Sequence, residues 1–193
     1  LYTMPSFDEV KFDYTTVLNM DTMSMSTKIL SKLLPDFSEA EMAKLVHDGY
    51  TGKFETDHLT PTVPVGEDFI LELFRGPTSA FKDVALSMLP RLMTASKEKL
   101  GVDDEIMILT ATSGDTGKAA MEGFCDVPGT KIIVFYPNGG VSAVQQAQMA
   151  TQAGENVCVC AIHGNFDDAQ TGVKKIFTDP ALKAEFAQHN KMF

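Results

Sequence analysis

Positively charged residues are scarce in this sequence, which has 16 Lys and Arg against 26 Asp and Glu and a formal charge of −10. Proteins bind nucleic acids non-specifically mainly through Lys and Arg side chains that neutralise phosphates, so this balance argues against a nucleic-acid partner. The chain therefore has to bind any anionic ligand at a local site, and individual loops become the places to look for function.

Cysteine and histidine are also scarce, with three and four copies. Cys158 and Cys160 alternate along a strand-like run, where their side chains would share one face, and Cys125 stands apart. Buried, reduced thiols are the favoured interpretation. No cysteine pair has a ligand turn between its members, and the histidines lack helical pairing, so the sequence predicts no metal site. The histidines are His47, His58, His163 and His189.

Long hydrophobic runs are missing, since no stretch approaches the roughly 20 apolar residues that cross a bilayer. No basic segment followed by an apolar run opens the chain, so a secretion signal is not apparent. We expect no membrane partner and a cytoplasmic location. Because the chain begins at Leu1 rather than Met and stops at Phe193 within an apolar dipeptide, either end is a candidate for a cut in a longer protein.

The sequence does contain enough apolar material for a core, because 44% of its 193 residues are hydrophobic. In the segment DFSEAEMAKLVHDGY, Ser38 stands three residues before Glu41, which is the spacing of a capping box. This segment therefore predicts a helix that begins near Glu39.

From Asp68 the pattern becomes strand, turn and helix, repeated four times. DFILELF opens the first repeat, and the runs EIMILTAT, KIIVFYP and NVCVCAI are typical of strands buried on both faces. Such alternation implies right-handed crossovers, so the predicted class is α/β, a parallel sheet with flanking helices. We predict a boundary between residues 1–95, an N-terminal segment with the first strand–helix unit, and residues 96–193, a small α/β domain.

Ligands of such sheets bind beyond the carboxyl ends of the strands, which makes the loop LFRGPTSAFKD the first candidate site. Gly76 and Pro77 end the strand, Thr78 or Ser79 is expected to cap the next helix, and Lys82 falls in its first turn. The helix dipole disfavours a cation there by roughly 0.3 to 1 kcal/mol and stabilises a neutral amine, which Schiff-base chemistry requires. The alternative is a solvated surface lysine.

The second candidate loop, TATSGDTGKAAMEGF, follows a buried strand and opens a helix. Gly114 and Gly117 permit unusual dihedral angles, and the hydroxyls of Thr112, Ser113 and Thr116 converge at a helix N-terminus. This arrangement favours a carboxylate or a monoester phosphate over a nucleoside triphosphate, because the Gly-Lys-Thr sequence of a P-loop is absent. A well-capped helix without a ligand is the alternative.

Two further loops are interpreted mostly as structure. In YPNGGVSAVQQAQM, Asn138 and Gly139 form the turn, and Ser142 is the expected helix cap. In GNFDDAQ, Asp167 and Asp168 stand at a helix start, where acids interact favourably with the dipole and need no catalytic role.

Taken in order, LELFRGPTSAFKD, ILTATSGDTGKAA, FYPNGGVSAVQQAQM and AIHGNFDDAQ resemble threonine synthase of the microbial branch, from about Asp68 to Lys191. The resemblance implies a fold-type II, tryptophan-synthase-β-like enzyme that uses pyridoxal 5′-phosphate. It also implies conversion of the small-molecule substrate O-phospho-L-homoserine, with water, to L-threonine and phosphate.

The same resemblance assigns roles to residues of this chain. Lys82 would be the catalytic residue, forming the Schiff base and moving protons at Cα and Cβ of the substrate. The cofactor-binding residues would be Lys82, Phe81, Asp115 and Ser113. The substrate-binding residues would be Thr112, Ser113, Gly114 and Thr116. Many related fold-type II enzymes have Asn where this chain has Asp115, so this position departs from the family pattern.

The family pattern also includes a second glycine-rich loop for the cofactor phosphate and a group that faces the pyridine nitrogen, and neither is present by residue 193. We therefore expect a fold that is incomplete at its C-terminus and a chain that is inactive alone. A monomer is favoured.

Two other functions stay open. One is another fold-type II lyase, such as a serine/threonine dehydratase or a β-replacement synthase; the full LFRGPTSAFKD string favours threonine synthase. The other is a non-catalytic threonine-synthase-like protein, which the intact Lys82 and SGDTG sequence disfavour.

Overall fold

The computed structural model describes residues 6, 8–11 and 13–189, and residue contacts divide the chain into two units, Leu1–Arg75 and Gly76–Phe193. This division lies 20 residues before the predicted boundary of 95 and 96. The difference arises because the helix after Lys82 packs against the helix after the SGDTG loop. The domain limits of the complete protein stay a prediction.

In the first unit, short helix α1 (Tyr14–Val17) precedes helices α2 (Thr22–Leu33) and α3 (Glu39–Tyr50), which pack together. The predicted start of α3 is confirmed. Ser38 is its N-cap, the Ser38 N–H donates to Glu41 Oε2 at 2.7 Å, and the Glu41 N–H donates to Ser38 Oγ at 3.3 Å. This capping box satisfies backbone donors that the first helical turn leaves without partners.

The last residue of α3, Tyr50, is buried and contacts Phe54 edge to face, with ring centroids 5.8 Å apart. Burial raises the pKa of the Tyr50 hydroxyl from 10.0 to about 12. The folded state therefore keeps the proton at pH values where the unfolded chain loses it.

We expect the unfolding free energy to be independent of this group below pH 10 and to fall by about 2 to 3 kcal/mol as the pH rises from 10 through 12. The measurement is urea unfolding of the full-length protein across this pH range. Tyr50→Phe removes the titrating hydroxyl and should flatten that part of the profile. An unchanged alkaline loss in Tyr50→Phe would contradict the assignment.

The first unit ends with strands β1 (Thr62–Val65) and β2 (Asp68–Leu71), an antiparallel hairpin. Its two-residue turn holds Gly66 at φ +63°, a backbone conformation that glycine adopts without strain. The first four residues of the DFILELF run therefore form a strand, as predicted, but the last three do not, and the predicted place of this strand in the parallel repeat is wrong. A two-residue turn joins only antiparallel strands, and it pairs β2 with the strand directly before it.

The second unit contains helix α4 (Asp83–Lys99), strand β3 (Ile106–Ala111), helix α5 (Asp115–Phe124) and strand β4 (Thr130–Pro137). Helix α6 (Ala143–Ala150), strand β5 (Val157–Ile162) and helices α7 (Phe166–Thr178) and α8 (Pro180–His189) follow. The three strands form a parallel sheet in the order β3-β4-β5, with Thr110 opposite Val134 and Val134 opposite Val159. Three of the four predicted repeats, and the α/β class, are confirmed.

The core of this unit lies between β4 and two helices. Ile132 and Val134 of β4 are fully buried against Met121 and Phe124 of α5 and against Met149 of α6. This core fixes the carboxyl ends of β3 and β4 relative to the starts of α5 and α6, where two of the candidate loops lie.

Helices α4 and α5 approach each other closely at Gly123. A Cβ atom at this position would lie 2.9 Å from the carbonyl carbon of Leu86 and closer still to its oxygen. Pro90, four residues after Leu86, is buried within α4 and has no N–H to donate to that carbonyl. Pro90 thus leaves the Leu86 carbonyl without its helical hydrogen-bond donor. Gly123 leaves room for that carbonyl oxygen between the two helices.

The thiols of the second unit do not match the sequence interpretation. Cys158 and Cys160 alternate on β5 as predicted, but both are exposed, so the prediction that they are buried is wrong. In the described sheet β5 is an edge strand, and α7 packs over β3 and β4 instead. Cys125 is half-buried, its Sγ donates to the Ala153 carbonyl at 3.2 Å, and burial raises the pKa of its thiol.

Candidate functional site

The loop before α4 is held by a bond that its sequence pattern did not predict. The N–H of Thr78 donates to Asp83 Oδ2 at 2.9 Å, and the Thr78 hydroxyl donates to Asp83 Oδ1 at 2.6 Å. Asp83 is only 2% exposed, and Gly76 provides its space, because a Cβ there would lie 2.9 Å from Asp83 Cγ. The prediction that Thr78 or Ser79 caps α4 is therefore wrong, since the N-cap position is Lys82.

Lys82 stands immediately before the first residue of α4, and its side chain makes no capping bond. Its Nζ lies 4.0 Å from the centre of the exposed Phe81 ring. In the part of the chain that the structure describes, no carboxylate pairs with this amine. The Lys82 side chain is half-buried. Its primary amine therefore lies against an aromatic face and is still accessible to a small ligand.

The SGDTG loop is built around the buried hydroxyl of Thr112, which is 1% exposed. Thr112 Oγ1 accepts the N–H groups of Gly114 at 3.0 Å and Gly117 at 2.8 Å, and it donates to the Gly114 carbonyl at 3.1 Å. All of these bonds lie within the loop. The Thr112 hydroxyl is therefore used to shape the loop.

The start of α5 carries the remaining predicted residues. Ser113 is exposed, Thr116 is half-buried, and Gly114 takes φ +144° at the N-cap. The N–H groups of Gly114 and Gly117 are used by Thr112, whereas no hydrogen bond among the described residues uses the N–H of Ser113, Asp115 or Thr116. Free N–H groups and hydroxyls at a helix N-terminus form a site for an anion.

Gln145 belongs to this site, and the sequence interpretation missed it. Its Nε2 donates to Asp115 Oδ1 at 2.8 Å, its Oε1 accepts the N–H of Ser142 at 3.0 Å, and its own N–H donates to Ser142 Oγ at 3.2 Å. The predicted cap at Ser142 is confirmed. The loops after β3 and β4 therefore meet at one edge of the sheet, as parallel strands require.

The spacing of Ser142 and Gln145 is a recognisable capping-box signal. Nothing local in the sequence connects Gln145 to Asp115, which lies 30 positions earlier. The predicted acids at the start of α7 are confirmed: Asp167 and Asp168 lie in its first turn, and Asp168 accepts the N–H of Asn165 at 2.8 Å.

In the part of the chain that the structure describes, His, Cys, Asp and Glu side chains form no group of three able to hold a metal ion. None of the helices in this part of the chain is both long enough and apolar enough to cross a membrane.

No family model matches the chain. The threonine synthase of Pseudomonas aeruginosa is 43% identical over 143 residues, which make up 74% of this chain and 30% of that protein. The crystal structure of the PLP-bound threonine synthase from Brucella melitensis superposes with a TM-score of 0.81 at 34% identity, covering 100% of this chain and 39% of that one. The chain is homologous to part of threonine synthase. The yeast threonine synthase structure gives a TM-score of 0.83 at 30% identity, covering 95% of this chain and 38% of that one.

The likeness to the threonine synthases confirms the predicted fold, a part of the fold-type II architecture with its parallel sheet and flanking helices. The chain spans between 30% and 39% of the length of these three threonine synthases. The described residues thus carry one candidate amine, Lys82, and one candidate anion loop, SGDTG. The enzymes that the chain matches are longer than the chain itself.

Proposed function

We propose that this chain is part of a pyridoxal-phosphate-dependent threonine synthase, which converts O-phospho-L-homoserine and water to L-threonine and phosphate. The observation that carries the proposal is the superposition of the whole chain on a PLP-bound threonine synthase at 34% identity. Because the chain spans about 38% of the length of its structural relatives, the activity belongs to the complete protein.

The described residues fit the cofactor. Lys82 offers a primary amine without a carboxylate partner in the described chain, beside the exposed ring of Phe81. At the SGDTG loop, the N–H groups of Ser113 and Asp115 have no acceptor among the described residues. We propose that Lys82 holds the cofactor covalently and that Phe81, Ser113 and Asp115 contact it.

When bound, pyridoxal phosphate supplies an electron sink for charge that develops at the substrate carbon next to the amino group. Lys82 would then act through Nζ, taking protons from Cα and Cβ and returning them at Cγ and Cα, while phosphate leaves from Cγ with the proton of water and the hydroxyl of water adds at Cβ. Its place at the start of α4 suits this role, because the positive end of the helix favours the neutral amine that can accept a proton.

The SGDTG loop would hold the carboxylate of the substrate. Ser113 and Thr116 would contribute hydroxyls and N–H groups. The dipole at the N-terminus of α5 would stabilise the bound negative charge by roughly 0.3 to 1 kcal/mol. Gly114 would serve the loop by leaving room for the Gln145 amide. Thr112 would act indirectly, since its hydroxyl is used to shape the loop.

Three finer points belong to the same proposal. The complete protein is proposed to be cytoplasmic and monomeric. These 193 residues alone are expected to be inactive, because they span less than half the length of the threonine synthases that they match.

The test uses the full-length gene product incubated with pyridoxal phosphate and O-phospho-L-homoserine. Phosphate and threonine should appear in equal amounts, and the gene should restore growth of threonine-requiring cells without added threonine. L-Serine and L-threonine are the control substrates. A 2-oxo acid formed from them, without threonine formed from O-phospho-L-homoserine, would favour a dehydratase. No reaction with any of these substrates would favour a non-catalytic protein.

Combining Ser113→Ala with Thr116→Val should raise the KM for O-phospho-L-homoserine about 10- to 100-fold, because each lost hydrogen bond to a charged group weakens binding. The turnover number should change much less. Thr178→Val is the matched control, since its hydroxyl bonds only to backbone carbonyls of Lys174 and Lys175 at the end of α7. An unchanged KM in the double variant would remove the loop from substrate binding.

A further inference from the structure

The amide of Gln145 bridges the starts of two helices that follow neighbouring strands. Its Oε1 accepts from the N–H of Ser142, at the N-cap of α6, and its Nε2 donates to Asp115 Oδ1, at the first residue of α5. The oxygen of the Gln145 amide therefore accepts from a donor, and its NH2 group donates to an acceptor.

These two bonds determine the orientation of the amide. A backbone N–H can only donate, so the oxygen of Gln145 has to face Ser142, and the NH2 group then has to face the carboxylate of Asp115. Gly114 provides the space for this arrangement, because a Cβ there would lie 2.7 Å from Gln145 Oε1 and closer still to Nε2. The outer side of the SGDTG loop is thus held by Gln145, and its inner side by Thr112.

The bridge restricts the carboxylate of Asp115. Oδ1 is held by Gln145, whereas Oδ2 has no hydrogen-bonding partner among the described residues. With one oxygen fixed, the carboxylate can present only the other to a ligand in a single orientation. The adjoining N–H groups of Ser113 and Thr116 belong to the same short turn and share its restriction.

We propose that Gln145 is a positioning residue for the SGDTG loop, acting through Asp115 and without touching substrate or cofactor. Its catalytic consequence rests on the proposed threonine synthase function, whereas its effect on the order of the loop does not. The competing interpretation is that Gln145 serves only the capping box of α6.

The chain offers a matched control for the competing interpretation. Asn165 and Asp168 form the same capping box at α7, with bonds of 2.8 and 3.1 Å, but among the described residues Asp168 makes no hydrogen bond to another loop. Asp168→Ala therefore removes a capping box without touching the SGDTG loop.

The critical variant is Gln145→Glu, which keeps the acceptor for Ser142 but replaces the donor to Asp115 with a second carboxylate. Adding Asp115→Asn restores the bond in the reverse direction, since the new amide at 115 donates to the new carboxylate at 145. A purely capping role predicts that neither change alters the loop.

The experiment measures amide hydrogen exchange of Gly114 and Gly117, whose N–H groups donate to Thr112 Oγ1, in the full-length protein without cofactor, and kcat and KM with O-phospho-L-homoserine. Gln145→Glu should speed exchange in the loop at least about 10-fold and lower kcat/KM about 10- to 100-fold. Gln145→Glu with Asp115→Asn should recover at least about 10-fold of the exchange protection, and Asp168→Ala should leave loop exchange unchanged.

The proposal is overturned if Gln145→Glu leaves loop exchange at the wild-type rate, if the double variant recovers nothing, or if Asp168→Ala has the same effect. The two readouts separate this inference from the proposed function. A full-length protein that forms no threonine, but shows the expected exchange pattern, would refute the function and retain Gln145 as the positioning residue of the loop. Threonine formation by the full-length protein, with loop exchange unchanged in Gln145→Glu, would support the function and refute the positioning role of Gln145.

Discussion

Lys82→Ala is expected to abolish threonine formation by the full-length protein, with a loss of at least about 10³-fold in kcat. Lys82 is proposed to combine covalent attachment of the cofactor with proton transfer, and alanine supplies neither. The accessible amine beside Phe81 is the structural reason for this expectation. The measurements are the rate of phosphate release and the position of a pyridoxyl label after borohydride reduction and peptide mapping.

Lys97→Ala provides the matched control, because Lys97 lies in the last turn of the same helix, far along α4 from Lys82. This variant should keep its activity and should still be labelled at Lys82. A label on Lys97, Lys99 or Lys118, with none on Lys82, would refute the assignment.

Gly123→Ala should lower the unfolding free energy of the full-length protein by about 2 to 3 kcal/mol, even though alanine is the better helix former. The added Cβ would collide with the carbonyl of Leu86, a backbone group that cannot swing aside as a side chain could. Separating α4 from α5 would in turn disturb the packing of Phe124 in the core. Urea unfolding followed by circular dichroism measures the loss.

The same substitution at Gly172 should change the unfolding free energy in the opposite direction. Gly172 lies within α7, and a Cβ there would meet nothing within 4 Å. Gly172→Ala should therefore raise the unfolding free energy by up to about 1 kcal/mol through helix propensity alone. Similar shifts in both variants would show that the close approach of Gly123 to Leu86 is not what limits this position.

Local patterns predicted a large part of this fold. The capping box at Ser38 and the cap at Ser142 depend on residues only three positions away, and the acids at the start of α7 are neighbours in the chain, so the sequence displays all of them directly. The three strands of the parallel sheet were equally visible as short apolar runs. The hairpin was not, because Pro64 makes the TVPV segment a weak strand signal, and β2 alone does not reveal its partner.

Long-range contacts explain what the sequence could not predict about the site. Thr78 was expected to cap a helix, but it bonds to Asp83, and this choice depends on the space beside Gly76. The link between Gln145 and Asp115 depends on β3 and β4 being neighbours in register. The exposure of Cys158 and Cys160 depends on where α7 packs, which no residue near either cysteine determines.

The hairpin of the first unit has a consequence for the behaviour of the protein in concentrated solution. Phe69, Ile70 and Leu71 are each about half exposed or more, so β2 presents apolar side chains on both faces. A short apolar strand of this kind can pair with its copy in another molecule and begin aggregation. Glu67 and Asp68 stand directly before the apolar run, where charged residues act as gatekeepers by repelling an incoming strand. Replacing these two acids, more than any change in the core, should decide whether the chain precipitates.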